Sequence, residues 1–173
     1  MNNPEQHPIP PQQALEKLHQ AIALDQQRGW LNAPVMIGIH TGGVWVAQWL
    51  HQQMALSEPL GVLDISFYRD DFDRAGLHPT VRPSHLPCSI EGRDVILVDD
   101  VLFTGRTVRA ALNEIFDYGR PHKVGLAVLY QRDGRELPIC ARWSGQDLNL
   151  APGAHIKLSG PEPLGVELKN PNQ

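Results

Sequence analysis

The sequence predicts an α/β fold, a mainly parallel sheet flanked by helices on both faces. Twice an apolar run ends in a small-residue loop and leads at once into an amphipathic segment. Val35–Ile39 runs into His40-Thr41-Gly42-Gly43, and Asp94–Val98 runs into the stretch from Asp99 to Thr107. The second of these runs is continuous and rich in β-branched residues, as a strand buried on both faces requires. Nothing after the first helix reads as a linker, repeat or low-complexity tract, so the 173 residues fit one domain large enough to bury a core.

The elements follow in chain order. Residues 1–13 are polar and carry Pro4, Pro8, Pro10 and Pro11, which reads as a mobile lead or a segment packed on a neighbouring subunit; residues 14–173 form the domain. A helix is expected from Ala14 to Gln27, with Leu15, Leu18, Ile22 and, at its margin, Leu24 on its inner side and Gly29 ending it. The strand Val35–Ile39 comes next, then a helix from Val44 to Met54. Its Trp45 and Trp49, four residues apart, suit core or subunit-interface packing far better than base stacking. Leu60–Phe67 reads as a strand. From Tyr68 to about Ile90 the chain holds Gly76, Pro79, Pro83 and Pro87 and no periodicity, which fits either a functional lid or a surface hairpin.

The strand Asp94–Val98 is followed by a helix on which Val108, Ala111, Leu112, Ile115 and Phe116 recur at helical spacing, until Gly119-Arg120-Pro121 stops it. Lys123–Leu129 is a further buried strand. Ala154–Leu158 and Leu164–Leu168 read as late strands, the second with alternating apolar residues.

Composition narrows the function classes. At 42% hydrophobic and 20% charged residues the chain is ordinary for a globular protein. A net charge of −4 without a dense basic run argues against non-specific nucleic-acid binding over the whole surface, though not against a local patch. Cys88 and Cys140 form no Cys-x-x-Cys pair, so neither a disulfide framework nor a zinc site is expected, and a cytoplasmic setting is. No apolar run approaches the ~20 residues of a membrane span, and no signal-peptide pattern opens the chain.

The chemistry concentrates where the strand at Asp94–Val98 ends. Asp99 and Asp100 are adjacent carboxylates, and Thr104-Gly105-Arg106-Thr107 opens the next helix. Free N–H groups and the positive end of the helix dipole make such a start a good anion site. Gly105 allows close backbone approach, and the hydroxyls of Thr104 and Thr107 add donors. Two carboxylates would repel a phosphate directly, so a donor group must lie between. Ribose hydroxyls fit there, and so does Mg²⁺. The pattern therefore points to a phosphorylated ribose. It lacks the Gly-Lys-[Ser/Thr] signature of a P-loop. His40-Thr41-Gly42-Gly43 forms a second small loop between strand and helix, again suited to an anion, while His40 by itself reads as readily as a strand-end histidine.

At these residues the chain resembles the phosphoribosyltransferases, whose PRPP motif is an apolar strand, an acidic pair and Thr-Gly-x-Thr. Ile37–Val44, Asp64-Ile-Ser-Phe-Tyr-Arg-Asp-Asp71, Val95–Thr107 and Arg135-Glu-Leu-Pro-Ile139 narrow the resemblance to the pyrimidine operon attenuator / uracil phosphoribosyltransferase (PyrR) family, over roughly Leu15 to Leu168. That resemblance implies the type I phosphoribosyltransferase fold with a flexible lid arm and a small hood. It implies the reaction of uracil with PRPP and Mg²⁺ to give UMP and pyrophosphate, with a different base, such as hypoxanthine or orotate, as the alternative. It implies the 5′-phosphate on Thr104, Gly105, Arg106 and Thr107, and the ribose on Asp99 and Asp100.

Pyrophosphate would lie on His40, Thr41, Gly42 and Gly43, often through a cis peptide bond, with Arg69 at the root of the lid either meeting it or pairing with Asp70 or Asp71. Many relatives carry Thr-Arg-Gly in that loop, so Gly42 removes one charge clamp. The hood is expected over Tyr130–Ile139, with Leu129, Tyr130 and Gln131 near the base through backbone groups. The metal is expected to come with PRPP rather than on protein side chains. UMP-dependent binding of pyrimidine leader mRNA is implied as a second function or, as the alternative, as the main one in an attenuator with weak or no catalysis; Arg132, Arg135 and Arg142 are the basic residues near the hood, and assembly into a homo-oligomer is implied as well.

Overall fold

The computed structural model describes residues 6–65 and 83–170. The elements are α1 (Pro11–Gln27), β1 (Val35–Ile39), α2 (Gly42–Gln53), β2 (Gly61–Leu63), β3 (Asp94–Leu102), α3 (Arg106–Tyr118), β4 (Lys123–Arg132), β5 (Trp143–Leu148), β6 (His155–Ser159) and β7 (Gly165–Lys169). Five strands form one sheet in the order β2-β1-β3-β4-β5, and every neighbouring pair is parallel. A separate antiparallel pair, β6 and β7, makes the second sheet.

Each face of the large sheet is covered by its own apolar layer. On one side Leu15, Leu18 and Ile22 of α1 and Val46, Ala47 and Leu50 of α2 pack on Met36, Ile96, Val98, Ala127 and Leu129. On the other, Val108, Ala111 and Ile115 of α3 pack on Ile37, Val95, Leu97 and Val128. Alternate residues of β3 thus enter opposite layers, which is why its sequence is apolar without a break.

Several elements differ from their expected extents. β3 runs on to Leu102 and β4 to Arg132, because the ladder between them continues past the apolar stretch, pairing Asp99 with Val128, Val101 with Tyr130 and Leu102 with Gln131. The acidic pair therefore lies on the strand rather than beyond it. α1 begins at Pro11, where a proline at the first position needs no backbone hydrogen bond. β5 was not foreseen at all. Its sequence, Trp-Ser-Gly-Gln-Asp-Leu, is that of a polar edge strand.

That edge changes the reading of the N-terminal lead. Gln6 N–H donates to the Asn149 carbonyl at 3.3 Å, Ile9 N–H to Gln146 Oε1 at 2.7 Å, and the Tyr130 hydroxyl to the Ile9 carbonyl at 2.7 Å. Residues 6–10 are therefore fastened beside β5, and 11–13 are helix; over its described part the lead is integral to the domain. Covering an open strand edge in this way is a general device of sheet proteins.

Arg69 and the expected lid as far as residue 82 lie outside the described residues, and its last part, 83–90, lies within them. The two ends of that stretch meet in one antiparallel bridge, Val62 to His85. The hood expected at Tyr130–Ile139 is corrected. That segment is partly β4 and partly a loop folded onto Thr104, whose carbonyl accepts from the N–H groups of Glu136 and Leu137 at 3.0 and 3.2 Å. The small cover is instead β6 with β7, whose first strand lies against the junction after β3.

Candidate active site

Strand order 2-1-3-4-5 reverses direction between β1 and β3. In open parallel sheets the crevice outside the carboxyl ends of the strands at such a point is where ligands bind. Both loops singled out in the sequence emerge there, one after β1 and one after β3. A cleft of about 720 Å³ opens at that place, lined by Thr41, Gly42 and Trp45 from one side and by the chain from Asp99 to Val108 from the other. His155, Ile156, Lys157 and Leu158 of β6 close it.

The loop after β3 is shaped by Gly105, whose φ of +93° is a left-handed conformation that L side chains rarely adopt. It turns the chain so that α3 begins at Arg106, and Arg106, Thr107 and Val108 of its first turn line the cleft. The Arg106 N–H meets the Thr104 hydroxyl oxygen at 3.3 Å. The Arg106 guanidinium reaches away to Glu136, with Nε and Nη2 both 2.8 Å from the same carboxylate oxygen. Arg106 therefore offers the cleft its backbone, with its charge held at the rim.

The acidic pair is asymmetric. Asp99 is 2% exposed, and its Oδ1 accepts the Asp100 N–H at 3.0 Å. Asp100 is half-buried, and its Oδ1 accepts the Val101 N–H at 2.9 Å. The other Asp100 oxygen lies against the loop after β1: a Cβ added at Gly42 would stand 2.2 Å from it. The bare glycine thus leaves room for a carboxylate where a larger residue would contest the space. Gly43 is needed for a different reason, since a Cβ there would lie 2.6 Å from the Val98 carbonyl and push α2 off β3. The His40–Thr41 peptide is cis, and the His40 N–H donates to the Leu63 carbonyl at 2.8 Å.

Residues 9–157 match the model of the phosphoribosyl transferase domain. The chain belongs to the phosphoribosyltransferase family. Within it, a relative from Nitrosococcus oceani named Bifunctional protein PyrR is 62% identical over 154 residues, spanning 88% of this chain and 85% of its own length. A relative of the same name from Pseudomonas savastanoi pv. phaseolicola is 59% identical over 140 residues, spanning 81% and 82%. These place the chain in the PyrR branch. Among solved structures, a hypoxanthine phosphoribosyltransferase from Staphylococcus aureus superposes with a TM-score of 0.63 at 16% identity, covering 84% of this chain and 78% of that one. The hypoxanthine phosphoribosyltransferase of Trypanosoma cruzi gives 0.61 at 20% identity, covering 88% and 85%. At such identity the likeness is one of fold.

In this phosphoribosyltransferase the structure gathers Asp99, Asp100, Thr104, Gly105, Arg106, Thr107, Thr41 and Gly42 around one cleft. It does not bring Leu129, Tyr130 and Gln131 there. Leu129 and Tyr130 are fully buried in the layer under α1, and Gln131 Oε1 accepts from Arg135 at 3.3 Å. The physical reason is the extra length of β4, which carries these residues along the sheet instead of releasing them into a loop.

Sequence reasoning missed the wall made by β6. Its signal was present in the alternation of exposed His155 and Lys157 with more deeply set Ile156 and Leu158, but the strand's position over the cleft is a tertiary fact. The three arginines offered for RNA are each engaged by another part of the chain, Arg132 buried, Arg135 partly buried and Arg142 on the surface. Arg132 is 7% exposed, Arg135 donates to the Phe103 carbonyl, and Arg142 pairs with Asp25 at 2.8 Å while lying 3.7 Å from the Trp30 ring centre.

Among the described residues no group of three or more His, Cys, Asp or Glu could hold a metal ion. One buried and one half-buried carboxylate suit an ion carried on substrate oxygens, since Mg²⁺ commonly keeps several waters and takes one or two carboxylates beside phosphates. No described helix is long and apolar enough to cross a membrane.

Proposed function

We propose that this phosphoribosyltransferase converts uracil and PRPP into UMP and pyrophosphate, in the cytoplasm and as a homo-oligomer. The observation that carries the reading is the convergence, at the sheet's switch point, of an acidic pair and a left-handed Thr-Gly turn that opens a helix. The 59–62% identity to PyrR relatives supports it.

Roles follow from the chemistry of each group. The N–H groups at the start of α3, with the Thr104 and Thr107 hydroxyls, hold the 5′-phosphate. Asp99 and Asp100 accept hydrogen bonds from the ribose hydroxyls. As uracil N1 forms its bond to ribose C1 and the bond to pyrophosphate breaks, positive charge grows on the sugar, and the two carboxylates stabilise it. Backbone N–H groups of the Thr41–Gly43 turn receive pyrophosphate, with His40 beside them, and Arg69 is the candidate cation for it. Mg²⁺ carried on PRPP would supply charge neutralisation to the pyrophosphate, and the Asp100 carboxylate is the protein group that would face its water shell. The N1 proton leaves to solvent or with the departing pyrophosphate, and positioning and electrostatics supply most of the rate.

The second function is UMP-dependent binding of pyrimidine leader mRNA. It rests on the family resemblance and on the relatives' printed description as bifunctional. Exposed Phe116 and Tyr118 at the end of α3 are apolar surface suited to self-association.

The deciding assay incubates the protein with PRPP, Mg²⁺ and uracil, hypoxanthine or orotate in turn. UMP formed from uracil is expected; nucleotide from hypoxanthine with none from uracil overturns the assignment. A gel-shift titration with leader RNA decides the regulatory half, which is lost if UMP causes no retention at moderate salt.

A further inference from the structure

Phe103 stands between the acidic pair and the phosphate loop, and it belongs to neither core layer. It is 37% exposed and lines the cleft. The Arg132 guanidinium lies 4.1 Å from its ring centre, and Arg132 is not part of the cleft lining. The ring is therefore backed by the cation and fronted by the cleft. A Cβ added at Gly134 would come 2.4 Å from the ring, so the turn after β4 packs closely on it as well.

Arg132 holds a second group. Its Nη1 donates to the carbonyl of Ala154, the residue immediately before β6. Its Nε finds no hydrogen-bond partner among the described residues. Burial lowers the pKa of its guanidinium, against which neighbouring Asp133 acts. A buried cation with so few partners is a poor device for stability, since apolar residues of similar size commonly serve as well or better. What it does secure is geometry. One side chain ties the Phe103 wall of the cleft to the root of the β6 wall opposite.

Phosphate, ribose and pyrophosphate take up the turn at 104–107, the acidic pair and the turn at 41–43 under the proposed function, on which this inference rests. Trp45, Phe103 and β6 are cleft surfaces left over, and of the two aromatic ones Phe103 is the one held by a cation, beside a strand of alternating polar and apolar residues. A flat base with polar edges matches that pair of surfaces. We propose that Arg132 is a positioning residue for the nucleobase: by clamping Phe103 to the root of β6 it fixes the two walls between which the base sits.

The test compares two ligands that differ only by the base-bearing half of the site. UMP and ribose 5-phosphate are titrated calorimetrically into wild type, Arg132→Met, Phe103→Leu and the double variant. Either single change is expected to weaken UMP about tenfold and ribose 5-phosphate less than about twofold. The double variant should be no weaker than the weaker single one, because both remove the same wall.

Equal weakening of both ligands, or multiplied effects in the double variant, overturns the positioning role. Should Arg132→Met fail to fold by circular dichroism, Arg132→Lys takes its place. It keeps the charge but loses the planar face, and is expected to show part of the UMP-selective loss; no selective loss overturns the role. Wild type that binds ribose 5-phosphate but gains nothing from the uracil of UMP overturns the proposed base. Wild type that binds neither overturns the phosphoribosyl site itself.

Discussion

Asp99 and Asp100 are neighbours on one strand, so their side chains leave the backbone toward opposite faces. Both nevertheless line the cleft, because the strand ends there and the loop after β1 folds alongside. Asp99 is the sheltered member, fixed by the Asp100 N–H, and Asp100 is the more open one, facing Gly42. Replacing both by asparagine keeps an acceptor oxygen for each backbone N–H, removes the charge and turns the second oxygen of each into an N–H donor. Folding should survive, while turnover falls at least about a hundredfold, the scale of losing an electrostatic stabiliser of the transition state. Steady-state kinetics beside a circular-dichroism control measures this, and near-normal turnover would mean that the cation-stabilising charge lies elsewhere.

At the scale of elements, the N-terminal segment, β5 and β4 form one unit. Tyr130 on β4 is fully buried, and its hydroxyl is the group that meets the Ile9 carbonyl through the sheet's edge. Burial pushes that phenol up to about 12. Unfolded, it would ionise near ~10, so the folded state is favoured fully below that pH and loses this contribution as pH rises from ~10 through 12. Tyr130→Phe should cost about 0.5–1.5 kcal/mol at neutral pH. Its alkaline loss of stability should also be shallower than that of wild type, as read from urea melts between pH 8 and 11.

The same unit shows what was legible in the sequence. α1, α2 and α3 follow from apolar spacing, and β1 and β3 from unbroken apolar runs. β5 carries no such run because its buried residues, Trp143, Gly145 and Leu148, are separated by polar ones. β3 and β4 were drawn short because polarity marks where two-sided burial ends, not where the hydrogen-bonded ladder ends. The Asp99–Thr107 junction and the His40–Gly43 turn were readable because small residues and paired charges have few structural uses at a strand end. The β6 wall and the Arg132–Phe103 stack join residues that are 22 to 52 positions apart, and no local pattern announces them.

Across the whole molecule the sheet divides its labour between its two ends. The carboxyl ends of β1 and β3 hold the cleft, and the opposite ends are fastened by Asp94. That carboxylate, 5% exposed, accepts the Asn32 N–H at 2.8 Å, meets His122 Nδ1 at 2.8 Å and lies 3.9 Å from Lys123 Nζ. Burial alone would raise its pKa, but the His122 ring, the Asn32 N–H and the Lys123 ammonium outweigh burial and hold it below the usual carboxylate range. Between the ordinary value near ~3.9 and that lowered one, the unfolded chain binds the extra proton. The group therefore stabilises the fold above pH ~4 and stops doing so as pH falls through its folded value. Asp94→Asn should cost about 1–3 kcal/mol at pH 7, and the gap to wild type should close as the pH drops below ~3.9. Because the cluster sits at the end of the sheet away from the cleft, turnover of the folded variant should stay within about twofold of wild type. Urea melts at pH 7, 5, 4 and 3, paired with assays well below the melting range, test both halves. A stability gap that persists undiminished at pH 3 would assign the effect to lost packing instead of charge, and a large fall in turnover would show that the two ends of the sheet are coupled.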